Sequence, residues 1–246
     1  MTGAGIGQLR AVTFDYWNTL VYEERGHIRG RRLTAWAGIL EDAGFAHDRQ
    51  EIEAAFDATW EAYVASWTDN QQFLAARAAE HTLEALGYDV PADVRAALID
   101  AFGRAGESAE LHLTDGVEGA LRALKDAGLR IGIVCDVGWT PSHVLRAHLE
   151  GRGVLDLFDG WAFSDEVGVY KPDPMIFAHA LGELGVEGPA AAHVGDLKRT
   201  DVLGARQSLM TAVRYRGVFD DGLLPDVEAD VVVDHHDDLL PALGIG

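Results

Sequence analysis

One cysteine, Cys135, stands in 246 residues, so no disulfide closes within the chain and a reducing compartment is the expected setting. Long apolar runs are also missing. No stretch approaches the ~18 unbroken apolar residues that read as a membrane span, and the opening MTGAGIGQLR lacks the basic start and apolar run of a secretion signal. These absences predict a cytoplasmic protein with no membrane partner. Basic residues are scarce as well: 20 Lys and Arg face 40 Asp and Glu, a formal charge of −20. A surplus of that size repels phosphate backbones and anionic lipid, so nucleic acid is not an expected partner either. The one basic cluster, RGHIRGRRL at 25–33, is short and reads as a solvated loop and helix start. Lysine occurs only at Lys125, Lys171 and Lys198.

What remains is a globular composition, 48% hydrophobic, with two alternating textures. Short apolar runs at 10–15, 129–136, 160–164, 190–195, 211–215 and 230–233 read as buried strands. Helical periods fill 115–128, 140–153, 173–185 and 200–209. Strands alternating with helices across short turns predict an α/β domain, a parallel sheet with helices on both faces.

From about 20 to 112 the alternation stops. Leu33, Trp36 and Leu40 recur at helical spacing, as do Ile52, Phe56, Trp60 and Tyr63. A third helix is expected over 71–87 and a fourth from Pro91, with Val94, Leu98 and Phe102 in phase. Four amphipathic helices without a strand predict a small bundle, with Trp36, Trp60 and Trp67 in its core. The boundaries that follow are 1–20 and 113–246 for the α/β domain and 21–112 for the inserted bundle.

Ligands of open α/β sheets gather at the carboxyl ends of the strands, and the polar residues expected there form a pattern. The first strand ends at Asp15, with Thr19 beyond it; the second ends at Cys135 and Asp136. Lys171 precedes a rigid two-proline turn after the third, and Asp196 and Asp201 follow the fourth. Several carboxylates beside one lysine are costly to bury without a further cation, and Mg²⁺, which takes hard oxygen ligands, would relieve that cost.

These stretches resemble the haloacid dehalogenase-like superfamily, most of whose members are phosphatases. FDYWNTL is similar to its first motif, D-x-D-x-T, at Asp15 and Thr19. VYKPDPMIF is similar to the region around its lysine, at Lys171. HVGDLKRTDVLGAR is similar to G-D-x-x-x-x-D, at Asp196 and Asp201. The resemblance spans the chain and implies a Rossmann-like, doubly wound sheet with a helical cap inserted after the first motif. It implies that Asp15 is a nucleophile forming an aspartyl-phosphate, with Mg²⁺ held by Asp15, the main-chain carbonyl of Trp17, and Asp196 or Asp201. Lys171 would stabilise charge on the nucleophile and the transferring oxygens, Thr19 would order the first-motif loop, and Cys135 with Asp136 would face the substrate. A helix N-cap or first-turn acid is the competing reading of Asp201.

Two departures limit what the resemblance implies. Trp17 stands where the phosphatases carry the aspartate that protonates the leaving oxygen, a group typically worth ~10²–10⁴ in rate. Cys135 stands where Ser or Thr is usual, and a thiol is a weak donor. Three readings follow, in order. The first is a Mg²⁺-dependent phosphohydrolase acting on a small metabolite and favouring good leaving groups. The second is a 2-haloacid dehalogenase-like hydrolase attacking carbon through Asp15, although that branch lacks the Asp196–Asp201 pair. The third is a weakened member serving in binding or regulation. A phosphonoacetaldehyde hydrolase is disfavoured because no lysine falls in 21–112. His27 is weighed as a proton donor, and Arg29, Arg31 and Arg32 as contacts for an anionic substrate. The substrate itself and the oligomeric state are not legible.

Overall fold

A computed structural model describes residues 9–24 and 26–245. Arg25 and the first eight residues, on which the secretion reading rests, lie outside that range. The chain divides into two compact units, one of residues 1–22, 112–136 and 149–246, the other of 23–111 and 137–148.

The first unit is built on six parallel strands in the order β5-β4-β1-β6-β7-β8. These are β1 (Ala11–Phe14), β4 (Arg130–Cys135), β5 (Gly160–Phe163), β6 (Ala191–Gly195), β7 (Thr211–Tyr215) and β8 (Val231–Val233). β1 is buried at every position, as a strand covered on both faces must be, and this is why its sequence reads as an unbroken apolar run. Its helices are α5 (Val117–Asp126), α6 (Ser142–Gly151), α7 (Ser164–Val167), α8 (Pro174–Leu184), α9 (Leu203–Gln207) and α10 (Leu239–Ala242), the first turns of α6 belonging to the second unit. Ile176, Phe177, Ala180 and Leu184 of α8 pack into one core cluster with Val134, Ala162, Ala191 and Ala212 of the sheet. Burying the larger of these, Ile176, Phe177, Leu184 and Val134, stabilises by roughly 1.5–3 kcal/mol each.

Strand order decides where a ligand can sit. From β1 the chain builds outward through β4 and β5, then returns to β6 on the other side and builds through β7 and β8. The reversal lies between β1 and β6, and such a switch point opens a crevice at the carboxyl ends. Phe14 is in register with Ile133 on one side and Val194 on the other. The residues that follow these strands therefore emerge at one level.

The second unit holds α1 (His27–Asp42), α2 (Arg49–Thr68), α3 (Ala75–Leu86) and α4 (Ala92–Arg104). α2 starts where Asp48 and Glu51 form a reciprocal capping box. Trp36 is fully buried between Phe56 and Phe102, with ring centroids at 5.3 and 5.8 Å. Its indole N–H donates to Leu98 O at 3.0 Å.

Four expectations need correction. Region 20–112 is not free of strand: β2 (Val21–Glu23) and β3 (Leu111–Leu113) pair where the chain leaves and rejoins the sheet. Trp60 is not core but 53% exposed. It sits about 80° round the helix from Ile52, and Thr59 takes the inward place instead, bonded to Ala55 O and Thr82. Trp67 packs against the bundle core but is only half-buried. Arg32 is not solvated but 5% exposed, donating to Phe102 O, Trp139 O and Thr140 Oγ1.

Candidate active site

Asp15 follows β1 directly, and its amide continues the ladder by donating to Val194 O at 2.8 Å. The chain then turns sharply. Tyr16 O accepts from Leu20 N and Val21 N, while Asn18, in the left-handed region at φ 57, donates its amide to Val21 O. The turn brings the Asp15 carboxylate to the carboxyl edge of the sheet, 6% exposed.

Lys171 reaches it from the loop after α7. Its ammonium lies 2.5 Å from Asp15 Oδ1 and 2.7 Å from Asp201 Oδ1, with 2% of the residue exposed. The backbone of that loop is held as well, because Lys171 N donates to Asp136 Oδ1 at 2.7 Å. Asp136 thus anchors Lys171 from the end of β4.

Asp201 lies in a short π-helical turn, Lys198–Val202, leading into α9. Its Oδ1 accepts from Lys171 and from His193 Nε2 at 3.1 Å; its Oδ2 accepts from Leu197 N at 3.0 Å and Thr200 Oγ1 at 3.2 Å. Asp201 is thus a first-turn acid and not an N-cap: one oxygen reaches back to the amide of Leu197, the residue at the N-cap, and the other serves the lysine. With two donors on each oxygen, its lone pairs are filled. Asp196 is different: among the described residues its carboxylate accepts a hydrogen bond only from Asn18 Nδ2, at 3.3 Å. Between the two acids, Gly195 is a steric requirement, since a Cβ there would lie 2.3 Å from Asp201 Cγ.

The electrostatics follow from four carboxylates and one ammonium. Burial pushes Asp15 up to about 7 despite Lys171. Burial, then Asp15 and Asp201, push Asp196 well above the carboxylate range. Burial also acts to raise Asp201, but Lys171 and His193 together outweigh it and hold the group below its ordinary value. Burial would lower Lys171, yet Asp15 and Asp201 hold it well above an ordinary lysine. The Cys135 thiol, fully buried at the end of β4, is pushed well up by burial and then by Asp15. Oxygens of Asp15, Asp196 and Asp201 lie within 4.8 Å of one another. An all-oxygen set carrying this excess of negative charge fits a hard divalent cation.

The remaining expected residues are also placed. Thr19 is fully buried; its hydroxyl has no hydrogen-bond partner, while its carbonyl accepts from Thr114 and His236. Trp17 is half-buried, its ring edge-on to Tyr16 at 5.1 Å. His27 opens α1. Arg29 pairs with Asp57 at 2.6 Å and Arg31 bonds Ser108, so the arginines weighed as substrate contacts are engaged inside their own unit. Sequence reasoning passed over His193, Asn18 and His236. A polar side chain inside the apolar run AAAHVG was the available signal for His193.

The family model for haloacid dehalogenase-like hydrolases matches residues 9–208. The chain belongs to this family. The chain is 35% identical over 133 residues to haloacid dehalogenase-like hydrolase domain-containing protein 3 of Bos taurus, covering 52% of this chain and 51% of the relative. That match spans about half of the relative's length. It is also 27% identical over 198 residues to an (S)-2-haloacid dehalogenase of Pseudomonas sp. strain YL, covering 80% of this chain and 78% of that one. Among solved structures, a HAD phosphatase from Thermococcus onnurineus is similar at 26% identity and a TM-score of 0.66, with 96% and 98% of the two chains covered. Among the described residues no helix is long and apolar enough to cross a membrane.

Proposed function

We propose that this hydrolase is a Mg²⁺-dependent phosphohydrolase of small metabolites, working through an aspartyl-phosphate at Asp15. The observation that carries the reading is the buried cluster in which Lys171 bridges Asp15 and Asp201 while Asp196 stands beside them with most of its lone pairs free. Asp15, Asp196 and the main-chain carbonyl of Trp17 would hold Mg²⁺, which supplies positive charge against the repulsion between carboxylate and phosphate. Asp201, already saturated, serves instead to aim Lys171.

In this reading Asp15 Oδ attacks phosphorus, the bond to the leaving oxygen breaks, and Lys171 stabilises charge on the transferring oxygens. Water then cleaves the acyl phosphate and releases inorganic phosphate. The indole of Trp17 carries no acid for the leaving oxygen. The expected substrates are therefore those whose leaving group departs as an anion, such as acyl phosphates.

A second reading, attack of Asp15 on the carbon of a 2-haloacid, is favoured by the dehalogenase relative and by Trp17, because halide needs no proton. One comparison separates the two. Phosphate release from acetyl phosphate that requires both Mg²⁺ and Asp15, and is lost in Asp15→Asn, supports the first. Metal-independent chloride release from 2-chloropropionate, with no phosphate release, supports the second.

A further inference from the structure

His236 lies beyond the range matched by the family, 9–208, on a single 3-10 turn, His236–Asp238, before α10. It is fully buried. Its ring stacks on Tyr215 of β7 at 4.2 Å and 20°, and is tilted against Phe14, the last residue of β1, at 6.3 Å. Nε2 lies 2.8 Å from Thr19 O and 3.0 Å from Thr114 Oγ1, and Thr114 Oγ1 lies 2.7 Å from Thr19 O. A carbonyl only accepts, so Nε2 carries the proton and Nδ1 is bare, which agrees with Nδ1 being buried without a partner. The approach is tight. Gly116, at φ 78, faces the neighbouring His235, and a Cβ at 116 would lie 2.6 Å from His235 Cε1.

Thr19 O is the far end of the turn that begins at Asp15. The near end is fixed by the ladder bond from Asp15 N, and the middle by Tyr16 O and Val21 O. Among the described residues, only Thr114 and His236 donate to Thr19 O. We propose that His236 is a positioning residue for the nucleophile turn, clamping Thr19 O from the C-terminal segment so that residues 15–19 keep the geometry the site needs. Its consequence for catalysis rests on the phosphohydrolase reading; its consequence for the turn does not.

The test is amide hydrogen exchange, followed by NMR on the full chain without metal, in wild type, His236→Phe and His236→Gln. Phe keeps the stacking and loses the donor; Gln retains a donor near the Nε2 position. In His236→Phe the amides of Asn18, Leu20 and Val21 should exchange about fivefold to tenfold faster, the factor expected for one lost hydrogen bond. Ile133 in β4 should be unchanged, and Gln should restore the turn. Unchanged exchange in the Phe variant, equal acceleration at Ile133, or a Gln variant that behaves like Phe each overturns the proposal. If the Phe variant does not fold, Thr114→Val deletes the other donor on the same carbonyl, and unaltered turn amides there overturn it too. A Mg²⁺ titration alongside should show weaker binding in His236→Phe. A wild type that binds no Mg²⁺ and releases no phosphate defeats the phosphohydrolase reading, while the exchange result still decides the role of His236.

Discussion

In the proposed mechanism a single side chain, Trp17, separates two kinds of chemistry. An indole donates no proton to an alkoxide, whereas a carboxylic acid two residues past the nucleophile would. Trp17→Asp is therefore expected to raise hydrolysis of an alkyl phosphate by about 10²-fold, the lower end of what a positioned acid supplies, with a much smaller gain on acetyl phosphate. Steady-state rates on the two substrates check this. His193 offers a second case. It shares Asp201 Oδ1 with Lys171, and its Nδ1 lies 2.9 Å from Thr13 Oγ1. Burial holds the ring below its ordinary pKa even though Asp201 favours the charged form, so it works as a neutral donor. In His193→Phe, Asp201 loses one of two bonds on that oxygen and Lys171 is aimed less firmly. A fall of about tenfold in kcat with KM little changed is expected, and His193→Gln should recover most of it.

Elements impose constraints that no single site residue reveals. The turn from β6 into the π-helical segment closes only because residue 195 has no side chain. Gly195→Ala is expected to displace the Asp201 carboxylate and with it the aim of Lys171, to lower kcat on acetyl phosphate at least tenfold in steady-state assays, and to leave the strand pairing intact. In the helical unit, Arg32 on α1 fastens α4 and the segment after β4 through Phe102 O and Trp139 O, with its guanidinium 4.9 Å from the Phe102 ring. Burial pulls this group down to about 10. Arg32→Met leaves two buried carbonyls without those donors, and a loss of about 2–4 kcal/mol in urea unfolding is expected.

The molecule as a whole records the buried acids in its pH dependence. Asp15 titrates near 7 in the folded, metal-free chain against 3.8 as an ordinary aspartate. The folded state thus holds an extra proton between those values. Stability from this group is complete below about 4 and is lost as pH rises toward 7. His236 has the opposite sign. Burial lowers it from 6.5 to about 4, so its contribution is present above 6.5 and is lost as pH falls through 4. Calorimetric scans without metal should show wild type losing stability relative to Asp15→Asn between about pH 4 and pH 7, and Mg²⁺ should reverse the difference by binding the folded state alone.

Much of this architecture was legible because periodicity is local. Apolar runs at 11–14 and 130–135 and a four-residue spacing through Ile52 and Phe56 are properties of neighbouring residues, and they place strands, helices and the residues at strand ends. Asp15, Lys171 and Asp201 could be named from where those strands end. The pairing of β2 with β3, the exposure of Trp60 and the burial of Arg32 were not legible, because each depends on which distant segment packs against it. The same holds for the number of donors that reach Asp196 and Asp201, on which their proposed division of labour rests. His193 meets Asp201 from within its own strand-turn unit, but His236 meets Thr19 across 217 positions of sequence. The sequence by itself determined the elements, their order and the identity of the charged residues at the sheet edge. Only the tertiary structure decided which polar atoms meet, because a hydrogen bond is made across about 3 Å of space and no local period encodes that distance.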